Sequence, residues 1–357
     1  MRALSCLLLA FPLLACGGST KTPATDVPAD AATETSMSGS DAGGVNDATP
    51  DVPPGDVVVA ETSVPTGPGV LLFAGYGEAP LSDTWNWDGA QWTQVASSTG
   101  PSVRSDQTMI GDGAGNVLLF GGMGLGPYLG DTWVWNGTAD WKQLQVQGPS
   151  AREGAAAAVL NGKVIVYGGS SASNGFLADT WEWDGSTWTQ LTITGPTPGG
   201  RYGHSMTTLG NQIVLFGNVG GPTDTWLFDG TAWTKSSAAG PTGQQGGLSD
   251  SRGFQTMATL GNRVILFGGE QDANHILADT WAFDGTSWTQ LTPAHSPAAR
   301  FHGAMATYGG KVVLYGGASA VPGPGFYGDT WTFDGTDWTQ ASTTGPSARY
   351  GYVLAVH

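Results

Sequence analysis

A segment that begins with Asp-Thr-Trp occurs six times in this chain. The first copy reads DTWNWDGAQWTQ from Asp83, and the later copies begin at Asp131, Asp179, Asp224, Asp279 and Asp329. Successive copies start 45 to 55 residues apart. A recurring period of this length marks an architecture in which one small supersecondary unit packs against its own copies. The chain beyond the first 66 residues is therefore predicted to consist of six similar units.

Each unit contains four short segments with the composition of β-strands. An arginine opens a mixed segment, an apolar run such as VLLFGG ends in an aromatic residue and glycine, and the DTW and WTQ segments follow. We label these segments strands A, B, C and D in that order. No segment shows apolar periodicity over the length of a helix. The pattern predicts an all-β fold of four-stranded antiparallel sheets repeated around an axis.

The order of strands at the chain ends predicts how this ring closes. The first unit begins at strand B near Val70, whereas residues 349–357, RYGYVLAVH, form a strand A without a unit of its own. Six complete sheets exist only if this C-terminal strand joins the N-terminal unit. Such a closure pairs a sheet edge that would otherwise stay open.

The conserved positions of each unit resemble those of kelch repeats, as in the central domain of galactose oxidase. An arginine precedes strand A, a glycine pair follows strand B, and aromatic residues stand on strands C and D. The resemblance covers all six copies and implies a six-bladed kelch-type β-propeller over residues 67–357. The departures are small: Ala74 and Asn218 each replace one glycine of a pair, and Asn136 replaces the aspartate of the turn between strands C and D.

All 15 tryptophans occupy repeat positions on strands C and D. Residues two apart in a strand share a face, so Trp85 and Trp87 are predicted to point the same way, towards the neighbouring blade. Each ring buries about 150–250 Å² in such an interface. We therefore interpret the tryptophans as the packing core between blades, with a sugar-stacking platform as the alternative.

The N-terminus has the pattern of an export signal. Arg2 precedes the apolar run ALSCLLLAFPLLA, which is too short to cross a bilayer core of about 30 Å as a helix. The run ends in LLAC at Cys16, which resembles the bacterial lipobox. The resemblance implies that residues 1–15 are a lipoprotein signal peptide and that Cys16 is acylated, which places the protein at the outer membrane on its periplasmic or cell-surface side. The alternative is an ordinary secretory signal with an incidental cysteine.

Residues 16–66 are predicted to be a disordered tether. Positions 17–66 contain eight acidic residues against one lysine, with many prolines, serines and threonines. A segment with so few large apolar side chains cannot offset the entropy of ordering its backbone. A flexible chain of this length reaches about 40 Å on average, so the segment would hold the propeller away from the membrane.

Charge and composition exclude several kinds of partner and site. The net charge of −16 repels phosphate backbones and argues against a nucleic-acid partner. Cys6 would leave with the signal peptide, so an acylated chain would hold neither a disulfide nor a free thiol. The five histidines show no pair at metal-ligand spacing, and no GxSxG or phosphate-binding loop is present. The sequence thus predicts no metal, no cofactor and no catalytic residue.

The antiparallel order of the strands places the B–C and D–A loops on one face, together with the arginine before each strand A. Loops that vary on a rigid scaffold are the expected place for binding. The candidate binding residues are the arginines and nearby aromatic residues: Arg104, Arg152, Arg201, Arg252, Arg300, Arg349, Tyr202, Phe301, Tyr350 and Tyr327. The guanidiniums would hold a carboxylate or sulfate by charged hydrogen bonds. Alternatively, each arginine pairs internally with the DTW aspartate of its blade or caps loop carbonyls.

Two functions remain open. The first is a lipid-anchored, monomeric binding module that engages an envelope protein, a peptide or a glycan through these loops. The second follows a resemblance to exported six-bladed kelch proteins that mutarotate sialic acid. An acidic sugar would then lie in the arginine-lined mouth of the channel, with Glu153, Glu78 or Glu270 as acid or base. A glutamate near two arginines would favour the enzyme, whereas a bare channel with apolar loop tips would favour the binding module.

Overall fold

The computed structural model describes residues 67–137, 140–241, 251–272, 275–319 and 325–357. All regular structure within these ranges is β-strand, as the sequence predicts. In the same ranges no helix has the length and apolar character needed to cross a membrane. The predicted signal peptide, Cys16 and the tether of residues 16–66 lie outside the described residues.

The strands form six four-stranded antiparallel sheets, which we number as blades 1 to 6 in the order of their strands B. The strands A to D of blades 1, 2 and 3 are Val353–Val356, Val70–Tyr76, Pro80–Trp87 and Trp92–Val95; Thr108–Gly111, Val117–Met123, Tyr128–Trp135 and Trp141–Leu144; Ala156–Leu160, Lys163–Tyr167, Thr180–Trp183 and Trp188–Gln190. Those of blades 4, 5 and 6 are Ser205–Leu209, Gln212–Phe216, Thr225–Phe228 and Trp233–Lys235; Thr256–Leu260, Arg263–Phe267, Thr280–Phe283 and Trp288–Leu291; Ala304–Tyr308, Lys311–Ala318, Phe326–Phe333 and Trp338–Ser342. This arrangement confirms the six-bladed propeller.

The C-terminal strand closes the ring in the predicted way. Val353–Val356 pairs antiparallel with the N-terminal strand, Val356 opposite Val70 and Val353 opposite Phe73. The His357 amide also donates a hydrogen bond to the Gly69 carbonyl at 3.1 Å. Each strand A contacts the strands A of both neighbouring blades, so the six together form a continuous inner ring.

The hydrophobic core is divided into six clusters, and each cluster lies between two adjacent blades. In the cluster that joins blades 6 and 1, Trp87 and Trp92 of blade 1 pack with Tyr315 of blade 6, and Trp85 lies at its edge. The Trp92 and Tyr315 ring centroids are 5.2 Å apart. Trp85 and Trp87 therefore share one packing face, as their spacing in the strand predicts.

A hydrogen bond repeats at every blade interface and fixes the register between neighbours. The indole of the strand D tryptophan donates to the hydroxyl of the DTW threonine in the preceding blade. The six pairs are Trp92–Thr330, Trp141–Thr84, Trp188–Thr132, Trp233–Thr180, Trp288–Thr225 and Trp338–Thr280, at 2.9 to 3.1 Å. Each of these buried bonds gives the indole N–H a partner. A tryptophan ring can then be buried without leaving its polar atom unsatisfied. The threonine and tryptophan that recur in every blade thus serve the scaffold.

Candidate functional site

The B–C and D–A loops share one end of the propeller, which we call the loop face. The short A–B and C–D turns share the other end, the turn face. Blades 3 and 5 extend their B–C loops into small hairpins, Ser170–Ser171 with Gly175–Phe176 and Glu270–Asp272 with His275–Ile276. Residues 242–250 and 320–324 of the two longest loops lie outside the described residues.

All six arginines of the predicted binding ring are buried and engaged within their own blades. Each guanidinium forms an ion pair with the DTW aspartate: Arg104–Asp131 at 2.7 Å, Arg152–Asp179 at 2.6 Å, Arg201–Asp224 at 3.1 Å, Arg252–Asp279 at 2.7 Å, Arg300–Asp329 at 2.7 Å and Arg349–Asp83 at 2.6 Å. The guanidiniums are at most 1% exposed. This is the internal pairing that the sequence left open as an alternative.

Arg152 illustrates the two-pronged pairing, which Arg201 does not share: Arg201 meets Asp224 through Nη1 alone, and its Nη2 donates to the Pro198 carbonyl. Arg152 Nη1 and Nη2 donate to the two carboxylate oxygens of Asp179 at 2.6 and 2.8 Å, and Nη1 also donates to the Gly168 carbonyl at 3.0 Å. Burial raises the pKa of Asp179, but the hydrogen bonds and charge of Arg152 outweigh burial, and the pKa lies below its usual value. A ligand would have to displace the aspartate to reach this guanidinium. The geometry favours a structural role, and ligand binding by the arginines stays a prediction.

The residue two positions after each arginine adopts a left-handed backbone conformation in all six blades. Glycine occupies this position in three blades, but Asp106, Phe254 and His302 occupy it in blades 2, 5 and 6, with φ of 52°, 54° and 52°. A non-glycine residue held there costs about 1–3 kcal/mol, and such strain clusters at functional sites. The sequence already contains this difference: counting the repeat arginine as the first residue, the third is glycine in REG and RYG but not in RSD, RGF and RFH. The sequence analysis did not single out these three residues.

Two of the three left-handed residues contact each other across the channel mouth. His302 Nδ1 lies 3.2 Å from Asp106 Oδ1, and their side chains are 13% and 15% exposed. Blades 6 and 2 are separated by blade 1, so this contact does not lie within a single interface between neighbouring blades. Burial raises the pKa of Asp106, while the charge and hydrogen bond of His302 lower it further than burial raises it.

Glu153 stands beside this pair and faces no arginine. It follows Arg152 in sequence, but the Arg152 side chain turns to Asp179. Burial and the nearby negative charge of Asp106 raise the pKa of Glu153 to about 7, against a smaller lowering by a hydrogen bond with Tyr128. Of the other two acids considered for the enzyme, Glu78 is exposed and Glu270 is partly buried. Among the described residues, none of the three acids forms an ion pair with an arginine, because each ring arginine pairs with its DTW aspartate.

Five rings form a continuous row across the loop face, which we call the aromatic row: Phe176, Tyr202, Phe254, His302 and Tyr350. Successive ring centroids lie 6.0, 5.3, 3.7 and 5.7 Å apart. The row begins at Phe176, which lies in the second strand of the blade 3 hairpin and is 44% exposed, and ends over blade 1. It gathers side chains from five D–A or B–C loops that are distant in sequence.

The four aromatic residues predicted to bind ligand take different positions. Tyr202 and Tyr350 belong to the aromatic row. Phe301 is buried beneath it, 5.4 Å from the His302 ring. Tyr327 packs on the buried Arg300 guanidinium at 4.1 Å and donates a hydrogen bond to the Ala299 carbonyl at 3.3 Å. The structure therefore brings two of the four together at the mouth.

Replacing Glu153 by glutamine is expected to change how stability depends on pH. The folded-state pKa of about 7 exceeds the ordinary value of 4.5, so the stabilising contribution is present below about pH 4.5 and is lost as the pH rises through 7. Glu153→Gln removes that loss, and the variant should gain about 1–3 kcal/mol relative to wild type between pH 5 and 8, allowing for partial solvent screening. Urea unfolding at several pH values measures the difference, and parallel curves for the two proteins would contradict it.

Two further observations delimit the site. Within the described ranges no three histidine, cysteine or acidic side chains converge in a way that could hold a metal ion. A cavity of about 420 Å³ opens at the turn face, between the turns of blades 5 and 6, and is lined by Leu260, Arg263, Leu291 and Asp334 among others. It lies at the opposite end of the propeller from the aromatic row.

Comparison with known proteins agrees with this architecture. The family described as KLHDC2/KLHL20/DRC7 Kelch-repeats domain matches residues 42–218 and 222–357, which include all six blades. The match begins within the segment predicted as a tether. The comparison with curated proteins gave no match. Because the family match covers most of the chain and the repeat builds a six-bladed propeller, the chain belongs to the Kelch-repeat family.

Proposed function

We propose that this propeller is an interaction module that binds an envelope protein or peptide on its loop face. Kelch propellers are typically modules of this kind. The observation that carries the proposal is the aromatic row, which runs from the exposed Phe176 to the channel mouth. Aromatic residues are enriched in protein interfaces because they contribute large contact areas at a low entropy cost.

The scaffold supports binding at this face. The arginine pairs, the tryptophan–threonine bonds and the ring closure all lie within or between blades, so the loops can differ without disturbing them. Leu125, in the B–C loop of blade 2, is 77% exposed, and Phe176 in the next blade is 44% exposed. Two exposed apolar side chains in the loops of adjacent blades favour the binding module over the acidic-sugar enzyme. They also favour a protein or peptide over a glycan, because exposed apolar side chains mark protein interaction surfaces.

The proposal includes a location. Acylation at Cys16 would hold the propeller at the outer membrane, with residues 16–66 as a spacer, and would present the loop face to proteins of the envelope. The lipobox resemblance supports this part of the proposal. A lipid anchor at the end of a long flexible segment leaves the propeller free to orient towards its partner.

Site-specific photo-crosslinking in the native cells tests the binding face. A photo-reactive amino acid is placed at Phe176, or as a matched control at Lys163, which begins strand B of the same blade at the turn face. We expect adducts with a discrete partner at Phe176, at several times the yield found at Lys163. Exposed positions on one blade differ here only in the face they occupy, so the comparison isolates the face. Equal yields at both positions, or adducts at Lys163 alone, would refute binding at the loop face.

A further inference from the structure

The charges at the channel mouth do not balance once the ion pairs are counted. Every ring arginine is matched by one DTW aspartate, so the six pairs leave no net charge there. The remaining described basic residues lie on outer strands D or at the turn face: Lys142, Lys163, Lys235, Arg263 and Lys311. The mouth keeps Asp106, Glu153 and Glu270, opposed there by His302. The centre of the loop face is therefore acidic.

Two of these acids and one aromatic ring are contiguous. The Gly154 amide donates to the Asp106 carbonyl at 2.7 Å, which holds Glu153 of blade 3 next to Asp106 of blade 2. The Tyr202 ring of blade 4 lies directly against Gly154, so close that a Cβ added there would be 2.2 Å from the ring. Two carboxyl groups and an aromatic ring thus meet within three consecutive blades.

This combination is the chemistry that recognises a cation. A carboxylate accepts charged hydrogen bonds from a guanidinium or ammonium group, and an aromatic face attracts the same charge. The protein already contains an internal example of a nitrogen-containing group held by a carboxylate and an aromatic ring. The His302 imidazole stacks on Phe254 at 3.7 Å and pairs with Asp106 at 3.2 Å, which places a nitrogen heterocycle between a ring and a carboxylate.

We propose that the channel mouth receives an arginine or lysine side chain presented by the protein partner, with its charged head beside Asp106 and Glu153 and its stem along Tyr202. The inference rests on the proposed interaction function and names the chemistry of the partner. Charge complementarity selects a basic segment, because an acidic one would meet carboxylates while every ring arginine is engaged. The preference is opposite to the acidic ligand that the arginine ring predicts from sequence.

Fluorescence anisotropy with labelled hexa-arginine, hexa-glutamine and hexa-glutamate peptides tests this preference. The ionic strength is about 0.15 M, which screens long-range attraction to the net negative chain. Under this condition we expect hexa-arginine to bind, and we expect no binding of hexa-glutamine or hexa-glutamate. The double variant Asp106→Asn with Glu153→Gln should weaken hexa-arginine binding by about tenfold or more. Asparagine tolerates the left-handed backbone at position 106, so the variant should fold, and its melting curve verifies this.

A charge-matched control separates the mouth from the acidic surface in general. Binding is measured at about pH 8, above the pKa of about 7 that burial gives Glu153, so that both double variants remove two charges. Glu78→Gln with Glu182→Gln removes them from the rim of blade 1 and the outer part of blade 3, and should change binding by less than about twofold. Equal losses in both double variants, or binding of hexa-glutamate, would overturn the inference. Crosslinking at Phe176 that persists beside such a result would leave the proposed function standing, whereas mouth-specific peptide binding without crosslinks at Phe176 would keep the inference and refute only the partner contact at Phe176.

Discussion

Deletion of residues 349–357 is expected to abolish the cooperative unfolding transition. The deletion removes strand A of blade 1, the buried Tyr352 and Leu354, and the Arg349 guanidinium that neutralises Asp83. It also opens the inner ring between blades 6 and 2 and exposes the edge of Val70–Tyr76. Domains of this kind are stable by only about 5–15 kcal/mol, and we expect the lost packing, together with a partly buried Asp83 left without its counter-charge, to exceed that margin. Circular dichroism and tryptophan fluorescence on heating measure the transition.

A point substitution at the same terminus provides the control for the deletion. His357→Ala removes the ring contact with Trp135 at 4.5 Å and the hydrogen bond with Asn86 at 2.7 Å, but leaves strand A intact. We expect a loss of about 1 kcal/mol and an unchanged transition shape. Adding the peptide of residues 349–357 to the truncated chain should restore part of the transition. A truncated chain that melts as cooperatively as wild type would show that the C-terminal strand does not close the ring.

The repeat predicts the fold because its residues act within a blade or between neighbours. The tryptophan on strand D and the threonine of DTW recur once per unit, so six copies imply six equivalent interfaces. The closure also follows from sequence, since strand A of the first unit is missing at one end and present at the other. These features depend on strand order and period alone.

The channel mouth could not be predicted in the same way. Asp106 and His302 are almost 200 residues apart and belong to blades that are not neighbours, so their contact depends on the curvature of the ring. The alternatives for the arginines also depended on geometry. Their spacing from the DTW aspartates permits either a buried pair or a guanidinium that projects to the mouth, and only the direction of each side chain separates them.

The arginine pairs explain why the mouth can be acidic in a protein that places six guanidiniums around it. Each pair ties the start of strand A to the start of strand C in one blade, and the guanidinium also binds a carbonyl at the end of strand B, as Arg152 does with Gly168. Three strands are joined at the loop face by one side chain. The strained residues Asp106, Phe254 and His302 follow directly on these fixed points, which is how the backbone can hold them in an unfavourable conformation.

Replacing Arg152 by leucine is therefore expected to cost about 3–5 kcal/mol, because Asp179 is left as an uncompensated charge in a largely buried position. Lys163→Met in the same blade breaks an exposed pair with Glu182, whose lysine side chain is 46% exposed, and should cost no more than about 1 kcal/mol. Urea unfolding at pH 7 measures both.

The pKa of Asp179 is lowered below 3.8 by folding, so the contribution of its pair is complete above that pH and is lost as the pH falls through the folded-state value. The difference between Arg152→Leu and wild type should accordingly shrink in acid. If Arg152→Leu costs no more than Lys163→Met, the buried pairs do not hold the blades, and the guanidiniums would again be available to a ligand at the channel mouth.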